Sequence, residues 1–419
     1  MSAVFERPGT RAMSSRQRLE AALSLREADR VPVSLYLLNP YDERDWRSRD
    51  PSFQEVLTMA RQHSDTFGLT YPENLGLFYS APGSIPHTVT VREYAGGVLL
   101  RKSTAQGGPP RYGESTRDVT GGPAERIIEE TVVETPRGPI TSIQRRDRGV
   151  DTVWVLKHFV ETPHDLDAFL SLPFEQPRPS AAAALLLQKN LGERGVAGLF
   201  MDDPLLPVVE LFGTQAFVEL AYTETKRIRS LLDLFQQRLL PVYESLAGEA
   251  KGLYFRIAGP EYVGVPLMAP RFFREFVVPY DRELVRLVRD SGNWTALHMH
   301  GRLHDNLAAI AEIHPHALEP IECLPSTTAD VTLAEVKQRI GGEICLMGNI
   351  QEGLFELGSP AEVEYQVQQA IADGAPGGGF ILIPTDVAFA PLSGRKSENI
   401  KAFLRAGAEY SRPAGKGGS

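Results

Sequence analysis

Residues 293–321 read NWTALHMHGRLHDNLAAIAEIHPHALEPI, and this stretch decides the fold. Asn293 to His298 is an apolar run of strand length, Leu303 to Ile313 has helical spacing, and Ala317 to Ile321 is extended again. Two strands joined by a helix of this size make a parallel crossover unit. The same alternation runs outward in both directions. Upstream lie a helix from Ala181 to Leu191, a strand from Val196 to Phe200, helices over Gln215 to Tyr222 and Thr225 to Ala250, a strand from Gly252 to Ile257 and a helix from Pro270 to Ser291. Downstream lie a helix from Leu333 to Ile340, a strand from Ile344 to Met347, a helix from Pro360 to Asp373 and a strand from Phe380 to Pro384. With a first strand near Val31, about seven or eight parallel strands result, so the pattern predicts a (β/α)8 TIM barrel rather than an open doubly wound sheet. No GxGxxG opens a helix after the first strand, which argues against a dinucleotide-binding fold.

The N-terminal part reads differently. Ser14 caps a short helix that stops before Val31, and residues from Pro51 to Phe67 have helical spacing. Thr88 to Val160 alternates β-branched residues with glycine and proline turns such as those at 95–97, 107–110 and 135–139, predicting a β-rich excursion over about 80–160. Pro173 to Pro179 has linker composition, but the reading keeps one barrel domain over 14–410, with disordered tails at 1–13 and 411–419.

The 419 residues carry 44 Lys and Arg against 53 Asp and Glu, a net charge of −9, and 42% of positions are hydrophobic. That balance excludes a nucleic-acid-coating surface, which needs clustered cations. No apolar run approaches the roughly 20 residues of a membrane helix, and the first residues lack the apolar segment of a signal peptide, so the expectation is a cytoplasmic protein. Cys323 and Cys345 are the only cysteines, which excludes a disulfide framework.

Barrel active sites lie at the C-terminal ends of the strands. One strand ends in His298-Met299-His300-Gly301, the next in Glu319, Glu322 and Cys323, and the last in Pro384-Thr385-Asp386. Strand side chains repeat with period two, so His298 and His300 project the same way and form an imidazole arm for a metal. Carboxylates from two other strand ends, Glu322 and Asp386, would complete the ligand set. The blander reading has both histidines hydrogen-bonding backbone and acids at the mouth. His304, His314 and His316 fall on or after the following helix and read as solvated. Cys345 reads as a core residue and Cys323 as an available soft ligand. After an earlier strand, Met201-Asp202-Asp203-Pro204 offers two acids that could act as acid or base or cap the next helix.

The ordered set of 16–23 (RQRLEAAL) leading to 29–33 (DRVPV), 273–280 (FREFVVPY), 298–301 (HMHG), 346–350 (LMGNI) and 374–382 (GAPGGGFIL) resembles the uroporphyrinogen decarboxylase superfamily, and within it the methylcobalamin:coenzyme M methyltransferase branch. The resemblance runs from Arg16 to Tyr410 and implies the barrel. It also implies a zinc site made of a His-x-Cys pair, a Glu after the next strand and a Cys after the last. Matched motif to motif, His298 keeps the histidine, His300 replaces the first Cys, Glu322 falls near the Glu and Asp386 stands near the last Cys. Losing both thiolates makes the site harder, suited to zinc or another divalent ion. True uroporphyrinogen decarboxylases carry arginines soon after the first strand to hold propionates, whereas Leu35 to Pro40 contains none.

The resemblance therefore implies a metal-dependent methyltransferase or demethylase-type enzyme exchanging a methyl group between a small molecule and a corrinoid carried by a partner protein. The sequence itself does not give the oligomeric state, but barrels of this family commonly pair, so the resemblance leaves a homodimer open. The alternative from another reaction class is a decarboxylase or lyase on a small carboxylated substrate, using Asp202, Asp203 or Glu261. A third is a binding protein without catalysis.

Overall fold

The computed structural model describes residues 12–107, 123–150, 152–386, 388 and 390–411. The expected tails therefore lie almost wholly outside the described residues, as does most of the glycine-proline turn at 107–110. In chain order the strands are β1 (Thr66–Thr70), β2 (His87–Ala95), β3 (Val98–Gln106), β4 (Arg126–Val133), β5 (Ile140–Asp147), β6 (Val153–Lys157), β7 (Gly195–Asp202), β8 (Tyr254–Ala258), β9 (Trp294–His298), β10 (Ala317–Ile321), β11 (Cys345–Ile350) and β12 (Phe380–Pro384). Seven of them form a parallel sheet in the order β1-β7-β8-β9-β10-β11-β12, with helices in the crossovers. The gap between β12 and β1 is filled by an extended segment around Val33, which bridges Leu382 in parallel. Ser34 N–H donates to the Leu382 carbonyl at 2.9 Å, Leu382 N–H to Pro32 at 2.9 Å, and Asp65 N–H to Val33 at 2.6 Å. Counting that segment, the ring closes at eight.

Closure is held by charge. The Asp65 side chain is fully buried and accepts from Arg18 Nη1 at 2.6 Å, Arg30 Nη2 at 3.0 Å and Val33 N–H at 3.1 Å. Arg18 in turn grips Asp29 at 2.7 Å, tying the N-terminal helix Ser15–Leu23 beneath the barrel. Ser14 caps that helix as its sequence requires, in a capping box with Gln17.

Alternation along the strands sorts the core into two layers. Val196, Tyr254, Ala296, Ala317, Cys345, Met347, Ile381 and Ile383 pack together inside the barrel, with Leu19, Ala22 and Leu23 of the N-terminal helix. Leu199, Met201, Phe255, Ile257, Leu297, Leu318, Leu346 and Leu382 point outward into the layer shared with the helices. The same parity carries Phe200, Asp202, Arg256, His298 and Glu319 inward at the upper end.

The β-rich excursion is a five-stranded antiparallel sheet, ordered β3-β2-β4-β5-β6. Its Val133 and Ile140, with Phe159 and Leu166 beyond it, belong to the same apolar cluster as the barrel helices. The stretch 173–179 leads directly into Ser180, which bridges Glu73 beside the barrel.

Two local expectations need correction. The helix from Pro51 does not reach Phe67: it runs Gln54–His63, and Thr66–Thr70 is β1, the strand missing from the sequence count. There the closed ring overrides the helical spacing, and at Gly68 a Cβ would lie 2.8 Å from Leu191 Cδ1, so a larger residue would require that side chain to shift. The helix Pro270 to Ser291 is two helices, Pro270–Phe276 and Val278–Asp290, the second opening with Pro279 in its first turn, where a missing N–H costs nothing. The helix that the acids after β7 were read as able to cap, and for which the sequence reading gave no bounds, is Leu205–Phe212. It and Thr214–Thr223 meet at 108°, and no single described helix is long and apolar enough to cross a membrane.

Replacing Asp65 leaves two arginines facing each other at the seam, one of them buried. Asp65→Ala is expected to cost about 3–5 kcal/mol, as removal of one partner from a buried ion pair does. Urea unfolding of the variant beside wild type measures this, and a loss below ~1 kcal/mol would show that the closure does not depend on it.

Candidate active site

Four inward-facing side chains form a buried network at the mouth. Arg256 of β8 donates through Nε to Glu319 Oε1 of β10 at 2.5 Å and through Nη2 to the Tyr36 hydroxyl at 2.5 Å. Tyr36, just past the Val33 segment, lies 3.2 Å from His298 Nδ1, and Glu319 Oε1 lies 3.4 Å from the same nitrogen. These contacts orient the His298 ring, so that Nε2 faces Glu261 Oε1 at 4.0 Å. Glu261 sits in the short turn Pro260–Val263 after β8 and accepts from Gly259 N–H at 2.9 Å.

His300 does project with His298, as period two requires, and the two rings stand edge to face with centroids 4.7 Å apart. Its Nδ1 is 3.0 Å from Glu322 Oε1, while Glu322 Oε2 accepts from Gly301 N–H at 3.3 Å. Each imidazole thus has Nδ1 engaged by a neighbour, which is how protein structures fix the tautomer of a ligating histidine and present Nε2. Glu322, expected as a ligand, supports His300 in this arrangement, and Glu261 takes the place facing His298. Asp386 lies near enough for its charge to bear on Tyr36 and His300. Among the described residues, no three His, Cys, Asp or Glu side chains converge as a ready-made metal site. Cys323 is buried, and that burial pushes its thiol up to about 12, away from thiolate ligation.

Burial and then the Arg256 charge hold the His298 imidazole below its usual range, favouring the neutral ring. For His300, burial pulls down but the Glu322 carboxylate outweighs it, and the net direction is up. Burial would raise Glu319, yet Arg256 and His298 bring it below the carboxylate range.

The two acids after β7 have separate places. Asp202 Oδ2 accepts from the Tyr79 hydroxyl at 2.5 Å. Asp203 is fully buried, accepts from Leu206 N–H at 2.8 Å and so caps the helix Leu205–Phe212; burial and the Asp281 charge push its carboxyl well up. Tyr36 and Arg256 were not among the sequence candidates. Arg256 carries a signal nonetheless, because a charge in an otherwise apolar parallel strand must have a buried partner. Tyr36 has no such signal.

The uroporphyrinogen decarboxylase (URO-D) family profile matches residues 152–410, and the chain belongs to that family. Among solved structures, a methyltransferase from Methanosarcina mazei aligns over 95% of this chain and 99% of its own, at 16% identity and a TM-score of 0.54, which establishes likeness of fold. A B12-independent methionine synthase from Shewanella sp. W3-18-1 aligns over 56% and 71%, at 13% identity and a TM-score of 0.35. A search of curated proteins found no match.

The Glu322–His300 contact sets a pH dependence with a definite sign. Because the folded-state value of His300 lies above its usual 6.5, the pair contributes stability that is full below that value and is lost as pH rises through the raised one. Glu322→Gln should lower the His300 titration midpoint, followed by imidazole proton NMR. An unchanged midpoint would show that the carboxylate does not govern the ring.

Proposed function

We propose that the protein is a methyl-transfer enzyme that uses this mouth, moving a methyl group between a small molecule and a corrinoid carried by a partner protein. The observation that carries the reading is the convergence of His298 and His300 beside Glu261 at the mouth of a URO-D-family barrel, with both Nδ1 atoms already engaged. Likeness to a methyltransferase along nearly the whole chain supports it.

The donor types suit a divalent ion, although binding one would have to draw these side chains together, since no three converge among the described residues. His298 and His300 through Nε2, with a Glu261 oxygen, would hold it, and this N and O set accepts zinc or a comparable metal. A bound ion would lower the pKa of a coordinated thiol or water and so supply a nucleophile. The chain's own part is positional. Tyr36 and Glu319 fix His298, Glu322 fixes His300, and the buried Arg256–Glu319 ion pair holds Glu319 in place beside His298. Asp386 remains close enough to tune the same charge balance.

Decarboxylation of a polycarboxylate fits less well. Arg256 is committed to Glu319 and Tyr36, and Leu35 to Pro40 brings no arginine. Asp202, Glu261 and Asp386 would repel an incoming carboxylate, and Asp203 is sealed from the mouth.

Elemental analysis should find about one divalent metal per chain in wild type after reconstitution, and loss of it in the His298→Ala, His300→Ala double variant. Equal content in both proteins, or none in either, would sink the metal reading. Separately, methyl transfer from methylcobalamin to a small thiol should be detectable by the change in corrinoid absorbance, and uroporphyrinogen should not be decarboxylated above background. Turnover of uroporphyrinogen would reverse the assignment.

A further inference from the structure

A buried arginine ordinarily faces a carboxylate, because only an opposite charge offsets the loss of its hydration. Four arginines are buried among the described residues: Arg18, Arg47, Arg238 and Arg256. Arg18 meets Asp29 and Asp65, Arg47 meets Asp45, and Arg256 meets Glu319. Arg238 is the exception. It is 6% exposed on the helix Thr225–Glu249 and has no carboxylate within ion-pair distance among the described residues. Burial lowers its guanidinium to about 10, and no neighbouring charge acts against that.

The group is held by rings and by one carbonyl. The guanidinium carbon lies 4.7 Å from the ring centre of Phe174, 5.6 Å from that of Phe235 and 5.9 Å from that of Phe169. Such contacts fix the plane of the cation but accept none of its in-plane N–H groups. Nη1 donates to the Phe78 carbonyl at 3.1 Å, inside the turn Leu77–Tyr79, where Phe78 and Tyr79 hold φ of 54° and 62°. That left-handed backbone is unfavourable for bulky residues, so Nη1 is committed to holding it. The opposite edge is uncommitted. Nε is buried with no acceptor, and Nη2 has no acceptor either but is not sealed from solvent. Phe174, the ring nearest the guanidinium, is 41% exposed, so the surface of the protein lies on that side. Nε–H and Nη2–H together form the planar fork that takes two oxygens of a carboxylate or phosphate in parallel hydrogen bonds.

We propose that the Nε–Nη2 edge of Arg238 is a binding site for a small oxyanion, a carboxylate or a phosphate, where the helix Thr225–Glu249 meets the turn Leu77–Tyr79. Two oxygens of the ligand accept from Nε and Nη2, its remaining atoms face solvent beside Phe174, and Nη1 stays on Phe78. The site stands apart from His298 and His300. Tyr243, which donates to the Asp202 carbonyl at the end of β7, is five residues further along the same helix, about 7.5 Å of axial rise. The proposal requires neither a metal nor methyl transfer.

The test follows arginine Nε–H signals by NMR in metal-free protein at pH 8, where ordinary imidazoles are neutral. Sodium phosphate and sodium acetate are added in separate titrations, against sodium chloride at matched ionic strength. One Nε–H resonance, identified by its absence from Arg238→Lys, should move in wild type with half-saturation at about 1 mM, the scale of one bidentate pair at a partly open site. In Arg238→Lys, which keeps the charge but loses the fork, the backbone amides of Phe78 to Ser80 should report at least tenfold weaker binding. Saturation by phosphate alone assigns a phosphate ligand, by acetate alone a carboxylate, and either result supports the site, as does saturation by both. No saturable shift with either anion, an equal response to chloride, or undiminished affinity in Arg238→Lys would each overturn the proposal. Should Arg238→Lys fail to fold, Arg238→Met identifies the resonance, and the wild-type titration alone still decides. A failed metal or methyl-transfer assay leaves this readout untouched.

Discussion

Everything at the mouth depends on the Asp65 carboxylate at the seam of the barrel. A ring of parallel strands needs its first strand to pair on both sides, and here that strand is reduced to a bridge at Val33. So short a segment has few ladder hydrogen bonds. Asp65 compensates by accepting from Val33 N–H while neutralising Arg18 and Arg30. Desolvating these charges is costly, and it is tolerated because the carboxylate finds donors on each side. Arg18, Asp29 and Arg30 lie in the N-terminal stretch 16–33, and their ion pairs serve architecture.

With the seam closed, strand parity does the rest. Inward positions near the bottom are apolar and are plugged by Leu19, Ala22 and Leu23. Inward positions near the top are Arg256, His298 and Glu319, which would be untenable singly in that environment and are stable together. The network has a built-in direction: the Arg256 charge lowers Glu319 and also disfavours a proton on His298. His300, one step further out and more exposed, answers to Glu322 instead and leans the other way. Two histidines from one strand end are therefore shifted in opposite directions, His298 down by burial and the Arg256 charge and His300 up by Glu322.

The antiparallel excursion is joined to the barrel through its root and a shared apolar cluster. It leaves the barrel after β1 and returns before β7, and the turn at its root carries Tyr79 to Asp202. Aromatic packing of Phe78 against Phe159 and Phe169 supplies the restraint that an unfavourable backbone requires. The excursion and the site are in this way one structure, sharing a continuous core.

Periodicity favoured the barrel over an open sheet, because strand and helix spacing differ and the alternation from Val196 to Pro384 leaves few topologies. It also determined that His298 and His300 share a facing, since period two is a property of the extended chain. It did not determine β1, whose residues continue a helical pattern until a neighbouring strand demands them. Nor could it tell Asp202 from Asp203: one step along the chain turns the first toward the mouth and buries the second as a helix cap. That Tyr36, Glu261 and Glu319 surround His298 was equally hidden, because Tyr36, the stretch from Arg256 to Glu261, and Glu319 come from three separate segments. Spacing within one strand is local and can be read from the chain, whereas contacts across a barrel lumen exist only once the ring is closed.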